Sequence, residues 1–111
     1  MSRLQNFERA ILDVRKLADY CLNPAHPRGR HKARVFRQAL GIERMYSPWL
    51  REAILAGLAT AEAEQQISDE FGSRWRVDIP IARQGKQAVI ASIWIIRAGE
   101  TAPRFVTCWI V

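Results

Sequence analysis

The chain changes its hydrophobic period once, near Gly72. Before that point apolar residues recur at helical spacing. Asp13 offers an oxygen to cap a helix start, and Val14, Leu17, Ala18 and Cys21 follow on one face, which predicts a helix over 14–22. Asn23-Pro24 ends it, because the residue before a proline is pushed out of the α region. Residues 23–29 hold Pro24, Pro27 and Gly29 and read as a loop. A second helix is predicted from Gly29 or Arg30 to Leu40, with Ala33, Phe36 and Leu40 inward and Gly41 as its stop. Ser47-Pro48 has the form of an N-cap followed by a first-turn proline. It predicts a third helix over 48–66, burying Leu50, Ile54, Leu58 and Ala61.

After Gly72 the period is two. Trp75, Val77, Ile79 and Ile81 alternate with Arg74, Arg76, Asp78 and Pro80, as in a half-buried strand. Gln84-Gly85 is a turn. Residues 88–97 and 104–111 are apolar at nearly every position, as strands covered on both faces would be. A second turn, 98–103, separates them. Helices first and strands afterwards predict an α+β fold, with two or three N-terminal helices packed on a three- to four-stranded antiparallel sheet. A length of 111 residues, 49% of them hydrophobic, suits one domain over 1–111 with one modest core.

No apolar run is long enough to span a membrane, and the first six residues lack the apolar stretch of a signal peptide. Cys21 and Cys108 show no metal-ligand or CxxC spacing and sit in apolar surroundings, so two unpaired buried thiols are expected. A cytoplasmic location follows. No motif implies a cofactor or a metal.

Charge narrows the function. Lysine and arginine total 17 against 11 acids, a net of +6, and only Lys16, Lys32 and Lys86 are lysines. Arginine suits phosphate because its planar fork donates two hydrogen bonds to it. Such a balance points to nucleic acid, RNA in particular, or to an acidic protein. The basic residues concentrate in His26-Pro27-Arg28-Gly29-Arg30-His31-Lys32, which holds both histidines of the chain, and continue through Arg34 and Arg37. A helix starting near Arg30 brings its free N–H groups and positive dipole end to the same loop. Imidazoles, guanidiniums and a helix start together can bind phosphate and move protons near neutral pH. Arg30, Arg34 and Arg37 at i, i+4 and i+7 form a stripe suited to a phosphate backbone; the plain alternative is a solvated helix face. His31 is the candidate base, against a surface histidine, and His26 the second candidate, against a turn residue. Thr107 places a hydroxyl in an apolar strand, either for a phosphate or for its own backbone. Trp75, between Arg74 and Arg76, is the candidate for stacking a base, against a place in the core.

The run Leu22-Asn23-Pro24, His26 to Phe36 and Leu40-Gly41, with Trp94-Ile95-Ile96 and Pro103 to Thr107 later, resembles a bacterial domain family of unknown function. The resemblance covers nearly the whole chain. It implies a small protein often encoded beside a short antitoxin, and so a small acidic antitoxin protein as partner. The order of elements also resembles the barnase, EndoU, colicin and RelE-like ribonuclease superfold, which implies RNA held in a cleft on the sheet. Members use a histidine with basic residues and a strand Ser or Thr; His31, Lys32 or Arg34, and Thr107 are the matching types here. The expectation is a metal-independent ribonuclease toxin of a toxin–antitoxin pair. RNA is attacked by its own 2′-hydroxyl, His31 or His26 takes the proton, Lys32 and Thr107 assist, and Arg28, Arg30, Arg34 and Arg37 hold phosphates. The alternative is a non-catalytic module binding RNA or an acidic protein through the same arginines.

Overall fold

The computed structural model describes residues 2–111. The Asp13 carboxylate accepts from the Arg15 N–H at 2.9 Å and starts α1, Val14–Lys16. In place of a uniform helix over 14–22, the chain widens into a π turn over Leu17–Cys21, closed by Leu22 N–H donating to Leu17 C=O at 2.8 Å. The extra residue in that turn leaves Leu17 and Cys21 both fully buried. Helix α2, Arg30–Leu40, turns Ala33, Phe36 and Leu40 inward and ends at Gly41, whose φ of 64° is the left-handed conformation that glycine accepts without strain. Helix α3 spans Ser47–Gly57. Its first residue is Ser47 itself, whose hydroxyl donates to Arg44 C=O at 2.6 Å instead of capping.

The expected continuation of the third helix to Gln66 does not occur. At Gly57 the backbone packs so closely on Ile79 that a Cβ there would collide with the Ile79 side chain. The next residues tighten into turns, Leu58 N–H reaching both Ile54 and Leu55 carbonyls. Ala63–Gln65 then forms a short strand, β1, although its residues favour helix, because the exposed edge of the next strand offers pairing partners.

Strands β2 (Gly72–Arg83), β3 (Lys86–Arg97) and β4 (Arg104–Ile110) complete an antiparallel sheet in the order β1-β2-β3-β4. Gln84 (φ 51°) and Gly85 (φ 79°) make the two-residue turn between β2 and β3. The α+β expectation holds, with the strand 63–65 added at one edge. Main-chain bonds cover parts of both sheet edges: Ala63 N–H donates to Ser2 C=O, and Ile11 pairs in parallel with Arg104.

Pairing register assigns the two faces. Trp75, Trp94 and Phe105 form one row, and Val77, Ser92 and Cys108 the next; these face the helices and join Leu17, Phe36, Leu50 and Ile54 in the core. Arg74, Ile95 and Arg104, then Arg76, Ile93 and Thr107, then Asp78, Ala91 and Trp109 lie on the other face. That face carries no helix. Strands 88–97 and 104–111 are therefore covered by helices on one side only, and Ile93 and Ile95 on the other side are half-buried. Their apolar character reads as two-sided burial because these outer residues lie among arginine stems and Trp109, which shield apolar surface while keeping polar groups wet.

Candidate functional site

The register shifts between Ile93 and Trp94. Trp94 faces Phe105 while Ile93 faces Thr107, so Val106 is the extra residue of a β-bulge. In a regular strand Phe105 and Thr107 would share a face. The bulge keeps Phe105 in the core and sends Thr107 to the open face.

Thr107 meets Lys32 there. The Lys32 ammonium donates to Thr107 Oγ1 at 2.8 Å and stands 3.5 Å from the Tyr20 hydroxyl. It lies 5.0 Å from the Tyr20 ring centre and 5.8 Å from that of Trp109, both within cation–π range. Arg76 covers Trp109 further along the face, at 5.4 Å. The face arginines are each matched to an acid: Arg74 to Asp69 (2.7 Å), Arg76 to Asp78 (2.8 Å) and Arg104 to Glu100 (3.0 Å). Lys32 has no carboxylate partner among the described residues. No carboxylate among the described residues offsets this half-buried ammonium; the acidic group that acts on it is the Cys21 thiol. Because Thr107 Oγ1 accepts from Lys32, its own hydroxyl proton turns elsewhere, to Cys21 Sγ at 4.0 Å or to an incoming ligand.

Cys21 lies beneath, its Sγ 4.0 Å from Thr107 Oγ1. Cys108 hydrogen-bonds to Cys21, and with Thr107 and Lys32 nearby this outweighs burial and brings the Cys21 thiol down to about 6; Cys108, the donor of the pair and buried itself, is pushed up. Both cysteines are free.

The loop before α2 holds this cluster in place. His26 Nδ1 accepts the N–H groups of Arg28 and Gly29, each at 3.0 Å, and its carbonyl accepts from Arg30 N–H at 3.0 Å, which fixes the turn leading into the helix. The occupied Nδ1 puts the proton of the neutral ring on Nε2, making His26 a donor. Its ring packs edge-on against Tyr20, centres 4.8 Å apart. Gly29 is buried against the Tyr20 carbonyl, where a Cβ has no room. Asn23 Oδ1 accepts from Ala25 N–H at 3.0 Å and fixes the turn. Arg28 is exposed.

The remaining candidates lie on the far flank of α2, because successive helical residues rotate by about 100°. Arg30, His31, Arg34 and Arg37 line an open groove of about 790 Å³, walled also by Leu22, Pro24, Glu43, Arg44 and Met45. His31 is exposed, with Nδ1 3.2 Å from an Arg34 guanidinium nitrogen. A guanidinium only donates, so that lone pair is engaged. The structure thus joins Lys32 to Thr107, and separately joins His31 to Arg30, Arg34 and Arg37. Trp75 faces the helix side and packs on the core, its Nε1 donating to Ser73 Oγ at 3.2 Å. Trp109, Tyr20, Arg76 and Cys21 were not singled out from sequence. Trp109 is two residues past Thr107, and only the bulge shows that both reach the open face.

Among the described residues no three His, Cys, Asp or Glu side chains gather as metal ligands would, and no helix is long and apolar enough to cross a membrane.

A family model described as a domain of unknown function, DUF6883, matches residues 3–111. The chain belongs to the DUF6883 family. The sequence matches no curated protein. In structure this DUF6883 domain is similar to a chain of a contact-dependent growth inhibition toxin–immunity protein complex from Klebsiella pneumoniae 342, with a TM-score of 0.68 at 14% identity. The likeness covers 91% of this chain and 99% of that one, and at such identity it concerns the fold.

Proposed function

We propose that this DUF6883 domain is a metal-independent ribonuclease toxin restrained by a partner protein. The observation that carries the proposal is the Lys32 ammonium, without a carboxylate partner among the described residues and bonded to Thr107 at 2.8 Å on an open sheet face. Trp109 lies beside it with Arg76 over its ring, a cation–aromatic pair of the kind that binds single-stranded RNA once Arg76 turns from Asp78 to phosphate. The net charge of +6 and a fold shared with a chain of a toxin–immunity complex support the same reading.

In this mechanism an RNA phosphate lies against Lys32 and Thr107. The neighbouring 2′-hydroxyl attacks phosphorus and gives its proton to water. Negative charge grows on the non-bridging oxygens, where Lys32 attracts it and the Thr107 hydroxyl donates to it. The bond from phosphorus to the 5′-oxygen breaks, and the Tyr20 hydroxyl supplies that oxygen with a proton, later regained from solvent. The products are a 2′,3′-cyclic phosphate and a free 5′-hydroxyl. His26 keeps Tyr20 and the start of α2 in position. His31, on the far flank of α2, is outside this scheme, so the base role expected of it passes to water.

The test is incubation of the purified protein with end-labelled single-stranded RNA, with and without chelator, followed by analysis of the ends. Cyclic phosphate ends formed by the wild type and lost in Lys32→Met support the proposal. Absence of cleavage across varied RNAs, or equal cleavage by Lys32→Met, overturns it.

A further inference from the structure

We propose that the groove on the Arg30–Arg34–Arg37 flank of α2 seats an acidic, partly apolar segment of a protein partner. The inference deepens the toxin reading by giving the restraining partner a docking place, and rests on that reading only for the partner's role. Three features favour a protein occupant. Arg30, Arg34 and Arg37 have no carboxylate partners among the described residues, so the groove is a strip of positive charge awaiting an anion. Its walls are also apolar: Leu22 and Pro24 contribute, and Met45 is 74% exposed at the rim, a flexible side chain that adapts to varied apolar partners. No Phe, Tyr or Trp lines it to stack a base, its one ring being the His31 imidazole beside Arg34, and Glu43 in the wall would repel a continuous run of phosphates. Carboxylates interspersed with aliphatic side chains fit this mixture. Nucleic acid fits the sheet face instead, where Trp109 and Arg76 stand.

The groove and the Lys32–Thr107 cluster occupy opposite flanks of one helix. An occupant of the groove therefore leaves the Lys32 ammonium uncovered, and Lys32 contributes nothing to its binding.

The experiment uses the whole protein and two fluorescent probes: a short peptide of alternating glutamate and leucine, and a single-stranded RNA of similar length. Binding is followed by anisotropy. The peptide is expected to bind saturably. Its affinity falls by about tenfold or more in Arg34→Glu/Arg37→Glu, falls in the same direction in Arg34→Ala/Arg37→Ala, and is unchanged in Lys32→Met. RNA affinity is expected to respond more to Lys32→Met than to Arg34→Ala/Arg37→Ala. Equal peptide binding by the wild type and both double variants overturns the proposal. So does a larger loss of RNA than of peptide in the alanine pair, which assigns the groove to RNA. Peptide binding is read without RNA cleavage, so failure of the ribonuclease proposal leaves this measurement intact, and the reverse.

Discussion

Replacing Lys32 by methionine separates a catalytic charge from a structural one. Methionine keeps most of the stem and removes only the ammonium. The folded protein then loses the 2.8 Å hydrogen bond to Thr107 and two cation–π contacts, to Tyr20 and Trp109. At a half-buried site the hydrogen bond contributes about 1 kcal/mol, and each cation–π contact about 0.5 kcal/mol. Removing the cost of desolvating the ammonium offsets part of this, leaving a net loss of about 1 kcal/mol. For a domain of this size that lowers Tm by about 4 °C, and the native state stays dominant at assay temperature. Cleavage has a different scale. Withdrawing one preorganised donor from the developing phosphate charge costs about 10²–10³ in rate. Thr107→Val, isosteric but without the hydroxyl, is expected to lose about tenfold or more. The double variant should lose less than the product of the two, because the residues act as a unit. Single-turnover cleavage of labelled RNA, read beside thermal melts, separates the effects. Lys32→Met cleaving at the wild-type rate would refute the assignment, as would a rate loss no larger than its loss of folded protein.

Gly29→Ala should destabilise by about 1–3 kcal/mol, since its Cβ enters the space of the Tyr20 carbonyl; a thermal melt that does not move excludes that contact. His26→Ala leaves the Arg28 and Gly29 N–H groups without their acceptor and should cost about 1 kcal/mol, with His26→Asn restoring part of it in the same melts. Cys21 is lowered in the folded protein to about 6, from the usual thiol range when unfolded. The folded chain therefore releases that proton first, so stability should rise with pH from 6 to about 8.5. The contribution is complete above the unfolded value and lost as pH falls through the folded one. Denaturant titrations of Cys21→Ser should lack this rise, and a wild-type profile flat over that window counts against an ionised Cys21.

What could be read from the residues depended on whether the deciding contact was local. The switch at Gly72 was legible because alternating Trp75, Val77, Ile79 and Ile81 record burial on one side of a strand, and the register confirms that side. The turn at Gln84-Gly85 was legible from its glycine. Strand β1 was not, because Ala61 to Gln66 consists of good helix formers and becomes strand only by pairing with β2. The bulge at Val106 left no trace either. Strict alternation from Phe105 would place Thr107 inward, and Val106 looks like any apolar strand residue. The basic run around His31 stood out in the sequence, yet contiguity hid where its members point. His26 fixes the turn before the helix, Gly29 permits close packing, Lys32 meets the sheet, and Arg30, Arg34 and Arg37 face a groove.

That division follows from helical geometry. A basic run on a helix cannot form one patch, because neighbours such as His31 and Lys32 diverge by about 100°. The run instead charges two flanks, and the core stripe of Ala33, Phe36 and Leu40 fixes which residue reaches which. Both ends of the helix are held. His26 and Gly29 pin its start, while Arg83 donates to the Leu40 and Gly41 carbonyls at 3.2 and 3.1 Å and lies 4.3 Å from the Tyr46 ring centre. A helix clamped at both ends has little freedom to rotate about its axis. An occupant of the groove cannot turn Lys32 away from Thr107, so a partner docked there must restrain the protein by its bulk across the sheet face. A partner small enough to stay within the groove would bind without inhibiting.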